Sequence, residues 1–454
     1  MTAQKQSKIT NEILQGNLIK LMFKLSIPSI LGTLMVSLNS FIDALFAGRF
    51  LNETALAGIL LALPFTSIVE GFAALIGVGS ASVLSRAIGS GDIKTQSKIF
   101  GNLITMSVVI SFFITIIGYI FGEELIAFMG GSGQVALEGT KYLKTYILGS
   151  VFFIGGTACG EIISSEGQIR LTTISMSIFV IINILLNYIF LTVFHWGTSG
   201  IALATIIAMV FSSIVNLAYF IFGKSFISVN LKKLAIAIDL LPATLSVGMS
   251  SLFAPVMMLA QGFVVFNSIS YYGTNNDIAF FGATQKVTSL VFIPIIGFAQ
   301  ALQPIIGMNY GAKNHRRIKK AYLTFAIIGT ILLLLIWLPL QLSPRTFLGI
   351  ILPSINFTED DIFNFRLLSI LAPVWPLASF SNTLFQSIGK GKTILVVLLL
   401  RTIGLYVPMV LFYSRIYGLK GIYYGMLFAD VIFMFIVFIL TVLEFQSLSK
   451  LKVE

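Results

Sequence analysis

Ala55-Leu-Ala-Gly58 and Ala279-Phe-Phe-Gly282 stand 224 residues apart, each beside a long apolar run. Other glycines keep nearly the same interval. Gly89 and Gly311 lie 222 apart, as do Gly167 and Gly389, and Gly200 and Gly421 lie 221 apart. Glycine is common in this chain, so no single match means much. Their order and near-constant offset read as an internal repeat in which the second half copies the first. Between these marks, apolar runs of about 20 residues recur, each long enough to cross a hydrocarbon core as a helix. The chain has 454 residues, of which 57% are hydrophobic and 10% charged. A soluble fold of that length could not hide so much apolar surface. The expected fold is therefore an all-α polytopic membrane protein.

The runs number about twelve, with approximate limits 18–48, 55–83, 100–121, 140–163, 171–194, 199–222, 240–271, 278–308, 320–342, 362–388, 392–413 and 421–444. They divide into two pseudo-symmetric six-helix bundles, residues 1–222 and 240–454. A cytoplasmic linker, 223–239, carries Lys224, Lys232 and Lys233. Charge placement tests the count. With the N-terminus inside, twenty-one Lys and Arg fall on inner segments, including Arg401, and seven on outer ones. Lys286 alone lies within a span. That bias favours both termini in the cytoplasm and a location in the plasma (inner) membrane, and it accounts for the net charge of +11 without nucleic acid. The first apolar run is too long for a signal-peptide core and reads as a retained span. Cys159 is the only cysteine, so neither an intrachain disulfide nor a cysteine-based metal site is expected.

The repeat breaks at a carboxylate. Asp43, in Asn39-Ser-Phe-Ile-Asp43-Ala-Leu-Phe-Ala-Gly48-Arg49, corresponds to Asn267 at the 224 offset. It lies six residues before Arg49, roughly 9 Å of helix, and so inside the outer part of the first span. A carboxylate there is expected to be protonated, paired or bound to a cation such as Na⁺. The alternative is a hydrogen-bonded aspartate that only joins helices. Asn39 is one turn earlier on the same face. Asn183 and Asn187 are spaced i, i+4 on the fifth span. They either complete a cation or proton site or act as interhelical glue, and the residues alone leave both open. Thr205 on the sixth span is a weaker member of this ion-coupling set. Glu70, Glu161, Met257, Asn267 and Lys286 are candidates for lining a substrate cavity, with Lys286 the only embedded base. A Glu–Lys pair that merely neutralises charge is the competing reading. Asp430 stands isolated. Pro28 offers a hinge in the first span, because proline removes a backbone hydrogen bond.

Two motifs fail. Gly389-Lys-Gly-Lys-Thr393 resembles the end of a phosphate-binding loop, but Gln386 stands where its first glycine belongs and no strand precedes it. The two histidines, His195 and His315, are far apart and in loops. No cofactor, metal centre or catalytic constellation is expected, and uphill transport without a nucleotide site must draw on an ion gradient.

In this order the strings resemble the multidrug and toxic compound extrusion family, in its bacterial DinF-like and Mep-like branches. They are Ser26-Ile-Pro28, Asp43-Ala-Leu-Phe-Ala-Gly48-Arg49, Ser85-Arg-Ala-Ile-Gly-Ser-Gly-Asp92, Ser165-Glu-Gly167, Asn183-Ile-Leu-Leu-Asn187, Gly197-Thr-Ser-Gly-Ile-Ala-Leu-Ala-Thr205, Gln303-Pro-Ile-Ile-Gly-Met-Asn-Tyr-Gly-Ala312 and Ser387-Ile-Gly389. The resemblance implies two six-helix bundles that rock between inward and outward states. It implies an antiporter exporting amphipathic organic cations in exchange for H⁺ or Na⁺, with Asp43 as coupling residue, Pro28 at the bend and Asn183 beside the site; separately, a monomer is expected. The family often carries a second aspartate where this chain has Asn187, and one carboxylate suits a proton better than sodium. The competing classes are a lipid-linked saccharide flippase of the wider superfamily, which would carry about fourteen spans and a more cationic cavity, and a membrane-embedded enzyme.

Overall fold

The structure is a computed structural model that describes residues 3–222, 225–227, 236–353 and 355–450. Most of the expected linker 223–239, with Lys224, Lys232 and Lys233, lies outside the described residues. Every regular element among the described residues is helical. In the first half these are α1 (Ala3–Gln15), α2 (Leu18–Phe50), α3 (Glu53–Ser90), α4 (Ile93–Ile120), α5 (Gly122–Phe128), α6 (Gly133–Leu148), α7 (Ser150–Ser165), α8 (Ile169–Thr192) and α9 (Gly197–Ile221). In the second they are α10 (Leu241–Tyr272), α11 (Asn275–Gly311), α12 (His315–Leu342), α13 (Pro344–Ile351), α14 (Glu359–Ser369), α15 (Trp375–Ser387), α16 (Gly391–Leu399), α17 (Val407–Tyr417) and α18 (Leu419–Lys450).

Eleven helical stretches are long and apolar enough to cross a membrane. The pair α6–α7, bent by 54° at Gly149, makes a twelfth. The chain is thus a multi-pass membrane protein. Its flanks expose Phe112, Phe113, Phe435 and Phe438, side chains that suit lipid rather than water. Several spans outrun their sequence limits. α3 continues to Ser90 and α4 begins at Ile93, because Gly91 turns left-handed (φ 72°) and Asp92 caps the new helix by accepting the Thr95 N–H. Asn17 caps α2 and Asn314 caps α12 in the same manner.

The repeat is visible in the backbone. Gly167 and Gly389, 222 residues apart, both turn left-handed, as do Gly197 and Gly418, 221 apart. Gly91 has a counterpart 222 residues on in Lys313, which takes φ 57° without being a glycine.

One end of the bundle carries Arg86, Lys94, Lys98, Lys313 and Arg316 and is called the basic end below. Here the two halves meet along α3 against α10 and α11, and α2 against α11. The approach is main chain to main chain. A Cβ at Gly79 would strike Thr244, at Gly248 Leu75, at Gly89 Met308, at Gly311 Arg86 and at Gly297 Ile30. Ser82 donates to the Gln386 carbonyl and Gln303 to Ser85 Oγ (3.2 Å) across the same seam. The helix α1 lies beneath it, held by Arg317, which donates to the carbonyls of Ile13 and Gly16. Toward the far end α2 exposes Leu38 and Phe41, and α10 exposes Phe263 and Tyr271.

Candidate functional site

A cavity of about 670 Å³ lies within the first half, walled by α2, α3 and α6–α9, with Gln300 of α11 entering from the second half. Its middle is aromatic and soft: Tyr142, Tyr146, Phe152, Phe153, Met176 and Phe179. Among the described residues three acids line it, Asp43, Glu70 and Glu161, and no Lys, Arg or His does. α2 and α3 run antiparallel, so the three stand at different depths. Glu161 packs at Gly77, where a Cβ would lie 2.8 Å from its Cγ. Glu70 is seven residues from Gly77 on α3, about 10 Å along the axis, and the level of Asp43 is about 15 Å further from the basic end.

Asp43 sits in a directed chain of hydrogen bonds. Thr205 Oγ1 donates to the Ile201 carbonyl (3.0 Å), so its lone pair accepts from Asn183 Nδ2 (3.1 Å). Asn183 Oδ1 then faces Asn187 and accepts from its Nδ2 (2.9 Å). The same Nδ2 donates to Asp43 Oδ1 (2.6 Å), while Asn39 Nδ2 donates to Asp43 Oδ2 (3.0 Å). With the one Thr205 hydroxyl hydrogen given to the Ile201 carbonyl, the sense of the chain follows, and it leaves Asn187 Oδ1 and Asn39 Oδ1 buried without a partner. Asn187 consequently shows Asp43 an N–H and not a carbonyl oxygen. Asn183 and Asn187 are fully buried, and they stand behind Asp43 rather than on the cavity wall. The i, i+4 spacing that placed both amides on one face of α8 is what lets them bond to each other.

Thr205, Asn39, Glu70 and Glu161 are thus brought to one cavity with Asp43. Met257, Asn267 and Lys286 are not. Met257 is buried on α10 away from the cavity. Asn267 is exposed and its Nδ2 donates to the Phe263 carbonyl of its own helix (3.0 Å). Lys286 is exposed on α11. Among the described residues no ion pair joins Lys286 to Glu70 or Glu161. Three further expectations are corrected. Arg401 does not sit in a loop: it lies in a π-helical stretch, Leu400–Tyr406, between α16 and α17. It pairs with Asp430 at 3.0 Å and lies over the rings of Trp375 and Phe433. Asp430 is therefore not isolated, and Lys286 is not the only base within a span.

Residue-by-residue reading missed Asn216 and Gln300, neutral amides in apolar helices whose roles depend on a neighbouring helix. It also passed over Glu166 as a site. This acid follows α7 at the basic end, is fully buried, and accepts from Tyr219 Oη, Ser225 Oγ and the Phe226 N–H. Burial pushes its carboxyl up to about 7 against these hydrogen bonds, which favour the charged form. Its place beside the left-handed Gly167 was the available signal.

The MatE family model matches the chain twice, over residues 28–189 and again over 251–412, once in each half. The chain belongs to the MatE family. Among MatE relatives, the multidrug export protein MepA of Staphylococcus aureus (strain MSSA476) is 22% identical over 414 residues, covering 90% of each chain. MepA of Staphylococcus saprophyticus is 24% identical over 427 residues, covering 92% of each. The fold is that of solved MATE structures. One in the bent conformation superposes with a TM-score of 0.92 at 23% identity, over 98% of this chain and 99% of the other. An outward-facing multidrug resistance transporter of the family gives 0.89 at 23%, over 97% and 98%. A MatE chain with this architecture is a membrane transporter, not an enzyme.

Proposed function

We propose that this MatE chain exports amphipathic organic cations in exchange for protons, with Asp43 as the coupling group. The observation that carries this reading is the cavity itself: three carboxylates, aromatic and methionine walls, and no base among the described residues that line it. A cation gains from acids held away from water, and a multi-ring apolar body gains from the aromatic middle. The same acids argue against a lipid-linked saccharide, whose phosphates call for bases.

The proton is favoured over sodium by the chain that begins at Ile201. A sodium ion at Asp43 needs carbonyl oxygens turned toward it, yet Asn187 and Asn39 both offer N–H to the carboxylate. Asn183, Asn187 and Thr205 then act as orienting groups for Asp43. The basic end is the cytoplasmic one, with both termini on the cytoplasmic side of the plasma membrane, because Lys and Arg concentrate there. The two halves rock about the seam, and Pro28 is the bending point of α2. Thr173 Oγ1 donates to its carbonyl (2.7 Å), which ties the bend to α8 at the cavity wall. Each copy holds a complete cavity, so the monomer is the working unit.

The test is dye transport by the full chain in proteoliposomes, driven by an imposed pH gradient with and without sodium. Proton-driven transport that Asp43→Asn abolishes, with dye binding retained, is the expected result. Transport that follows sodium and ignores pH would overturn the coupling, and an Asp43→Asn protein that pumps at the wild-type rate would overturn the assignment.

A further inference from the structure

Near the basic end of the cavity the polar groups divide into two sets. Ser213 donates to the Phe152 carbonyl (2.7 Å), Ser175 bonds to Ser212, and Thr172 donates to the Ile169 carbonyl (2.8 Å). These hydroxyls are engaged within the protein. Glu161 and one atom of Asn216 are not. Among the described residues no hydrogen bond or ion pair engages the Glu161 carboxylate, and Asn216 Oδ1 is buried without a partner. Asn216 is only 5% exposed, yet it lines the cavity. Its Nδ2 is spent on the Gly156 carbonyl of α7 (3.0 Å), and it lies against Gly160, the residue before Glu161. That bond fixes the amide, so the unused oxygen is held beside the helix that carries the unused carboxylate.

We infer that Glu161 and Asn216 form a substrate subsite for a cationic head that carries N–H donors, a protonated amine or an amidinium. Both free atoms are acceptors. A carboxylate takes an amidinium in two parallel bonds, and the amide oxygen takes a further N–H that would otherwise go bare. A quaternary or phosphonium centre has no hydrogen to give, so it leaves Asn216 Oδ1 unsatisfied and gains only charge attraction. The subsite stands about 25 Å along the helix axis from the level of Asp43, so substrate recognition and proton coupling occupy different groups of one cavity. Glu70, about 10 Å away along α3 and also unpaired among the described residues, is placed to meet a second charge on a long substrate. The assignment rests on the export reading above and adds what that reading leaves open, the chemistry of the head group.

The experiment compares two probes on the purified full-length chain in nanodiscs: the bis-amidine dye DAPI, and tetraphenylphosphonium. Glu161→Gln is expected to weaken DAPI binding by about tenfold or more and tetraphenylphosphonium by less than about twofold. Asn216→Ala is expected to weaken DAPI alone, by about threefold to tenfold. Melting curves check that both variants are folded, and Asn216→Ala decides the matter should Glu161→Gln fail to fold. Unchanged DAPI binding, or equal weakening of both probes, overturns the subsite. An Asp43→Asn protein that still pumps would refute proton coupling at Asp43 while leaving the DAPI comparison intact, so the two failures are distinguishable.

Discussion

Placing one methyl group at Gly89 should open the seam between the halves. A Cβ there would strike the Met308 carbonyl oxygen first, with the carbonyl carbon at 2.7 Å and the Cα at 2.8 Å behind it. Carbon atoms settle at about 3.5–4.0 Å, so relieving the carbon contacts alone parts α3 and α11 by about 1 Å, and the oxygen asks for more. Overpacking of this kind costs about 1–3 kcal/mol. The cost falls on the closed seam alone, because in a state with parted basic ends the methyl no longer meets Met308. Gly89→Ala should therefore shift the balance toward that state by about 5- to 150-fold. The assay is a distance distribution between spin labels at Lys94→Cys and Arg316→Cys, both exposed, in a Cys159→Ala background. A longer-distance population should grow in Gly89→Ala, and dye export should slow. Gly282→Ala is the control, since a Cβ there meets nothing within 4 Å. If the Gly89→Ala distribution matches wild type while the protein folds normally, the seam does not hold the halves and the argument fails.

Three further outcomes follow from the same coordinates. Asn187→Asp replaces the nitrogen 2.6 Å from Asp43 Oδ1 by an oxygen, so the two carboxylates must share a proton or trap a cation. Transport or thermal stability should become responsive to sodium, and identical curves for wild type and variant would separate Asn187 from the ion site. Burial raises the Glu166 carboxyl to about 7, so the folded chain holds that proton more tightly than the unfolded one. Its contribution is greatest below the ordinary carboxyl range and is lost as pH rises through 7. The melting temperature of wild type relative to Glu166→Gln should therefore fall between pH 5 and 8, and a flat difference would contradict this. Arg401→Ala strands the carboxylate of Asp430 and should cost about 3–5 kcal/mol, whereas Arg401→Leu with Asp430→Leu should cost much less. Equal losses in chemical unfolding would count against a mostly buried pair.

The architecture was legible because duplication preserved the residues that the backbone cannot exchange. Gly167 and Gly389 share a left-handed turn, and Gly89 and Gly311 share a close approach, so both pairs survive as sequence marks. Lys313 left no such mark, because a lysine gives no hint of positive φ. Asp43 was legible as a charge in an apolar run, and Asn183 with Asn187 by their spacing. Asn216 and Gln300 were not, since a neutral amide in an apolar helix shows its purpose only when another helix arrives. Arg401 was misread for a related reason. It follows the basic stretch Lys390-Gly-Lys392 closely enough to pass for loop, and only its aromatic neighbours and Asp430 reveal it inside a span.

The seam has a mechanical meaning of its own. None of the ion pairs among the described residues joins α2 or α3 to α10 or α11. Glycine faces peptide backbone, with a few hydroxyl and amide bonds beside it. Parting such surfaces breaks no ion pair, since the charged groups beside them, Arg86 and Arg317, donate to main-chain carbonyls, so the effort depends little on salt. On the proposed rocking motion, the two halves meet as a plain bearing does: smooth faces, closely fitted, that part and reseat with no ion pair to break each time.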